Sequence, residues 1–179
     1  IIQIIKNNKS INKIKQSDKA IIVTNQTPFY GESGGQIGDT GVIKFNSNQF
    51  KVLDTKKILK MHMHYGEVIK GQFKKNETVN LIVDSKKRQR VKTYHSATHL
   101  LHASLRKILG TNVTQKGSLV SFDRLRFDFS YSKPISDIHI KKIENVANKI
   151  IKQDEKVNIS IMPYKKAVEK GAMALFGEK

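Results

Sequence analysis

The stretch at residues 94–110, YHSATHLLHASLRKILG, decides how this chain folds. It carries no proline and no internal glycine, and Gly110 closes it as a helix stop. Ala97, Leu101, Ser104, Leu105 and Ile108 recur at helical spacing and predict a face fit to pack. His95 and His99 stand one turn apart, so their rings project from one side of the helix. At about 100° per residue, His102 lies within roughly 60° of both. Two imidazoles four residues apart can share a metal ion, usually zinc, and the same spacing also suits two ordinary surface histidines. Ser96 stands where a metalloprotease of the His-Glu-x-x-His type needs its glutamate, so a peptidase lacks its general base here.

Composition narrows the possibilities. With 179 residues, 38% hydrophobic and 27% charged, the chain can bury a core and is not disordered. It has no run of eighteen apolar residues to span a membrane, and its first residues are not a secretory signal. Cysteine is absent, which excludes disulfides and thiol chemistry; a zinc site must use histidine, carboxylate, water or residues outside the chain. The formal charge of +18 attracts polyanions. The excess of lysine over arginine, with abundant asparagine and isoleucine, also fits a proteome of AT-rich codons.

Outward from the helix, the N-terminal side reads mostly as strands. Residues 1–19 alternate Ile, Lys and Asn and read as a linker, helix or strand continuing from a region upstream; with no initial methionine, the chain is expected to be a fragment. Residues 20–24 are rich in β-branched side chains and strand-like. The glycine-rich run TPFYGESGGQIGDTG, residues 27–41, is a loop; it lacks the Gly-Lys-Ser/Thr ending of a phosphate loop. Residues 42–45, 50–55, 62–69 and 79–84 follow as short strands, predicting a small antiparallel sheet or barrel. His62 and His64 share one strand face, which is read as solvated beside Lys60 rather than as a second metal pair. SKKRQRVK, residues 85–92, is read as a basic bridge into the helix, either a surface linker or a phosphate contact.

Beyond Gly110, residues 119–121 and 125–129 read as strands, with Gln115, Lys116 and Gly117 forming the turn before them. Residues 134–153 predict an amphipathic helix capped by Ser136 or Asp137, burying Ile140, Ile143, Val146, Ala147, Ile150 and Ile151. Residues 157–162 read as a strand, and Pro163 opens a short helix ending at Gly171. The apolar ending AMALFGEK reads as a truncation.

Three segments together resemble the editing domain of alanyl-tRNA synthetase: TPFYGESGGQIGDTG, HSATHLLHASLRKILG with TQKGSLVSFDRLRFDFS, and GAMALFGEK. The resemblance covers residues 20–179. Free-standing alanyl-tRNA deacylases and the threonyl-tRNA synthetase editing domain share a histidine pair of this sort. Gly31, where alanine is common, and Tyr131, where histidine is common, depart from the pattern.

The resemblance implies an α+β fold: a small antiparallel β-barrel with the glycine-rich loop over residues 20–85, then an editing core over 86–179. It implies hydrolysis of the ester of tRNA(Ala) mischarged with serine or glycine, in a cytoplasmic enzyme whose absent domain ligates alanine using ATP and Mg. It also implies zinc on His95 and His99, completed by a Cys and a His beyond Lys179, so that the site here is incomplete and activity is impaired. Gln115 matches a residue shaping the substrate pocket, and Thr27 one that senses the serine hydroxyl. Gly34, Gly35 and Gln36 match the motif that approaches the substrate, and His102 is left without a role. Two alternatives stand beside this: a non-catalytic tRNA-binding module and a free-standing aminoacyl-tRNA deacylase.

Overall fold

The computed structural model describes residues 1–172. From Met173 on, the motif GAMALFGEK lies outside the described residues. The chain forms two compact units, Ile1–His99 with Gly117–Phe127, and Leu100–Lys116 with the residues from Asp128 on.

The first unit begins with β1 (Gln3–Lys6), β2 (Lys9–Ile11), β3 (Lys13–Lys15) and β4 (Lys19–Val23). Residues 1–19, expected as a linker, therefore supply three strands, and Ile1, Ile4 and Ile14 are buried in the core. Then come β5 (Gly41–Phe45), β6 (Asn48–Ile58), β7 (Met61–Lys70), β8 (Gln72–Lys74) and β9 (Asn80–Val83). Seven strands form one sheet in the order β2-β1-β4-β7-β6-β5-β9, and β3 pairs with β8 in a separate ribbon. The strand pairings among β1–β9 are all antiparallel.

The expected barrel does not close by hydrogen bonding. β2 and β9 are the sheet's outer strands and do not pair with each other. The chain leaves β2 to pair β3 with β8, and among the described residues no strand bridges that gap. What holds the sheet is its period-two pattern: alternate side chains of β-branched strands share a face. Ile4 faces Ile22 across β1–β4, Ile43 faces Phe50 across β5–β6, and Phe50 faces Val68 across β6–β7. All five are buried, and Phe50 meets Phe73 edge to face at 6.2 Å. Each such side chain contributes about 1.5–3 kcal/mol of transfer free energy.

Helix α1 spans Ser85–Leu109, nine residues longer at its N-terminus than the histidine stretch suggests. The basic bridge is its first turns. Asp84 starts it: its carboxylate accepts the Lys87 N–H at 3.1 Å, satisfying a donor that the helix itself leaves unpaired. The buried positions along α1 are Val91, Thr98, His102, Ser104 and Leu105. Thr98 and Leu105 centre this stripe roughly 65° around the helix from the expected apolar face.

After α1 come β10 (Thr114–Val120) and β11 (Leu125–Ser130), which pair as a two-stranded sheet. Gln115, Lys116 and Gly117 are thus strand residues rather than a turn. Helix α2 (Asp137–Gln153) is capped as expected: Ser136 accepts the His139 N–H. Of its expected stripe only Ile143 is buried, while Ile140, Ile150 and Ile151 are exposed. Residues 157–162 form no strand, and Val157, Ile159 and Ile161 stand in solvent. A period-two pattern makes a strand only where a neighbour offers its ladder, and the described residues offer none. The short helix α3 (Tyr164–Glu169) follows Pro163 as expected, and Gly171 takes φ 88° just beyond it.

Candidate functional site

The glycine-rich loop is the centre of the first unit's polar structure. Thr27 lies at its start. His64, on β7, is 0% exposed, and its Nδ1 stands 2.8 Å from the Ile22 carbonyl oxygen. A carbonyl can only accept, so Nδ1 carries the proton and the neutral ring accepts at Nε2. The Thr27 hydroxyl, 2.8 Å away, therefore donates to Nε2. It also accepts the Phe29 N–H at 3.1 Å, and the Phe29 ring meets His64 edge to face at 5.2 Å. Burial, with a smaller push from His62, lowers the His64 pKa below its ordinary 6.5, while the bond to Ile22 raises it. His64 is core, not the solvated residue expected. The parity of β7 carries the signal: His64, Gly66 and buried Val68 share one strand face.

Asp39 lies nearer the loop's other end. Its carboxylate accepts the Tyr30 N–H at 2.6 Å, and its backbone N–H donates to the Tyr30 carbonyl at 2.9 Å. Arg88, in the first turn of α1, grips both Asp39 carboxylate oxygens and also donates to the Pro28 carbonyl at 2.7 Å. Asp39 is buried, so this bidentate pair is charge-assisted and poorly screened. One guanidinium thus holds positions 28 and 39 together on the helix. It also gives α1 a carboxylate near an N-terminus whose own first turn has no acid.

Between those ends the backbone is placed by β10. Val120 N–H donates to the Gly35 carbonyl at 2.8 Å, and Ile37 N–H donates to the Val120 carbonyl at 3.1 Å. Gly35 has φ 81°, and a Cβ there would run into Ser118, so this position requires glycine. Gly34, at φ 58°, has open space around it.

This docking delivers Gln36 to the helix. Gln36 Oε1 lies 2.6 Å from His95 Nδ1. Arg88 and His95 are seven residues apart, so they lie on one face two turns from each other, and the loop meets both. As with His64, an acceptor at Nδ1 puts the proton there and makes Nε2 the lone-pair nitrogen, which has no partner among the described residues. Burial first, and then the neighbouring His99, lowers the His95 pKa below its ordinary 6.5, keeping that ring neutral at pH 7.

His95 and His99 rings are 5.1 Å apart at their centroids and inclined by 30°. Two imidazoles on one tetrahedral zinc, with Zn–N of about 2.1 Å, have centroids about 5.2 Å apart. The separation of the two rings matches that spacing. The described residues contain no group of three or more His, Cys, Asp or Glu able to hold a metal. His102, 1% exposed, is buried rather than displayed with the other two.

The structure thus brings Gly35, Gln36 and His95 together, with His99 beside His95. Thr27 is bonded to His64 instead. Gln115 lies on β10, partly buried, in the second unit. Arg88 and Asp39 escaped the sequence reading as site-forming residues, because a pair 49 positions apart has no local signature.

Residues 1–87 match the family model of tRNA synthetases class II (A). Over its whole length the chain is 47% identical to the alanine–tRNA ligase of Chelativorans sp. (strain BNC1). It spans 20% of that relative's length. The first match is to the class II tRNA synthetases. Together the two matches support reading the chain as part of an alanyl-tRNA synthetase. Among the described residues no helix is long and apolar enough to cross a membrane.

Proposed function

We propose that this chain is the editing part of an alanyl-tRNA synthetase and hydrolyses the ester of tRNA(Ala) mischarged with serine or glycine. The observation that carries the reading is the His95 arrangement: Nδ1–H held by Gln36, Nε2 open, and His99 beside it. An orienting partner on the second nitrogen is what a metal-binding imidazole uses to fix its tautomer and direction. In this reading His95 and His99 hold zinc with two further ligands from outside the described residues. The ion, when bound, polarises water or the ester carbonyl.

The remaining roles fall to the chain's own side chains. Gln36 orients His95, while Gly34 and Gly35 let the loop backbone come close to a substrate. Thr27 has its proton committed to His64 and one lone pair to spare, so it can accept from a serine hydroxyl. Gln115 is the second candidate for that recognition. Selection of serine over alanine is by hydrogen bonding, because one hydroxyl gives an apolar pocket too little discrimination; glycine carries no hydroxyl and gains nothing from these groups. Alanine would leave those polar groups unpaired. The alanine-ligating reaction, with ATP and Mg, belongs to the rest of a full-length enzyme in the cytoplasm.

The test is release of serine from Ser-tRNA(Ala) by the full-length enzyme and by its His95→Ala/His99→Ala variant. The expected result is at least a hundredfold loss of hydrolysis with tRNA affinity retained. Hydrolysis at the parent rate would overturn the reading. The formal charge of +18 favours a second one, a tRNA-binding module without catalysis, which predicts no change in either quantity.

A further inference from the structure

The hairpin joining β6 to β7 ends in a two-residue loop, Leu59-Lys60, between the paired residues Ile58 and Met61. Leu59 sits at φ 55°. There the Cβ of an L-residue crowds the backbone, and short hairpins give such positions to Gly, Asn or Asp. The rest of the sheet follows that rule. Asn46, at φ 50°, holds the equivalent place in the hairpin between β5 and β6, and Asn7 and Asn8 turn the chain from β1 to β2.

Nothing in the fold offsets the choice of leucine at 59. Its side chain is 87% exposed, so it packs on almost nothing, and Ile58 and Met61 beside it are exposed as well. Lys57 and Lys60 flank the tip in solvent. Neither forms an ion pair among the described residues, whereas Lys56 lies 3.7 Å from Glu32. The tip is therefore a small apolar prong between two available cations.

We propose that this hairpin tip is an RNA-contacting wedge, with Lys57 and Lys60 on phosphates and Leu59 against an unstacked base or ribose. The proposal rests on the reading that the chain works on tRNA. An apolar side chain between cations matches a polyanion whose bases offer apolar faces between phosphates. Three partly exposed side chains are too small an apolar area to anchor a protein to a membrane.

The experiment measures binding of a tRNA(Ala) transcript at several salt concentrations, with thermal melts, for the full chain, Leu59→Asn and Lys57→Ala/Lys60→Ala. Leu59→Asn should melt at or above the parent temperature, because it copies Asn46, and should bind the tRNA about five- to tenfold more weakly. The double lysine variant should lower the slope of log K against log salt by about 1.5–2. Unchanged affinity for Leu59→Asn overturns the proposal. So does a lower melting temperature, which would make Leu59 a structural residue. Loss of binding to phosphatidylserine vesicles with tRNA affinity retained overturns it in favour of a lipid surface. A parent chain with no affinity for tRNA overturns the tRNA reading itself, whereas a binding parent with equally binding variants overturns only the wedge.

Discussion

Two histidine pairs in the first unit make opposite use of the same side chain. On β7, His64 is sealed in the sheet with both ring nitrogens engaged, one by Ile22 and one by Thr27. On α1, His95 has one nitrogen engaged by Gln36 and one open, and His99 stands exposed beside it. The first arrangement leaves no lone pair to offer; the second is what a ligand requires. What separates a structural histidine from a candidate ligand is whether its second nitrogen is spent, and only the surroundings decide that.

The sharpest way to break this comparison is to remove the sealed ring. His64→Phe should cost about 3 kcal/mol in urea denaturation, since the Ile22 carbonyl and Thr27 hydroxyl lose their partner in a buried place. The same variant tests the titration. A histidine with a folded-state pKa below the unfolded value of 6.5 binds fewer protons when folded. Its stabilisation is present above pH 6.5 and fades as pH falls below it. Parent stability should therefore drop between pH 7 and pH 5, with a shallower drop in His64→Phe.

The open pair should respond in the other currency. His95→Ala should weaken zinc affinity about a hundredfold in competition with a chelator, near 2.7 kcal/mol. It should change unfolding stability by less than about 1 kcal/mol. If stability collapses and metal affinity does not, His95 belongs with His64.

Arg88→Met comes next, because the clamp holds the loop that reaches His95. It leaves the buried Asp39 carboxylate without its cation and should cost about 2–3 kcal/mol on chemical denaturation. Smallest is Gln36→Ala, expected to lower zinc affinity about tenfold. In ¹⁵N-detected NMR, His95 should then lose its preference for the Nδ1–H tautomer. An unchanged tautomer would show that Gln36 does not orient the ring.

Much of this fold is legible locally. Ser136 three residues before His139 announces the start of α2, Gly110 the end of α1, and alternation in β4–β7 the sheet. The Asp84 cap was also legible three residues before Lys87, but the run of cations after it reads more readily as a linker. The exposed isoleucines of α2 and of residues 157–162 mark the opposite case. Their patterns are regular, yet burial requires a neighbour that a pattern does not specify.

By itself the sequence determined the helices, most of the strands, the glycine-rich loop and the HxxxH spacing, because capping, periodicity and φ preference act within a few residues. Tertiary structure decided which histidine is sealed and which is open, and that Arg88 joins Asp39 and Gln36 joins His95 across dozens of residues. It also decided that the sheet stays open. Hydrogen bonds and burial act through space, and which partners meet is set by how the sheet and helix pack, not by distance along the chain.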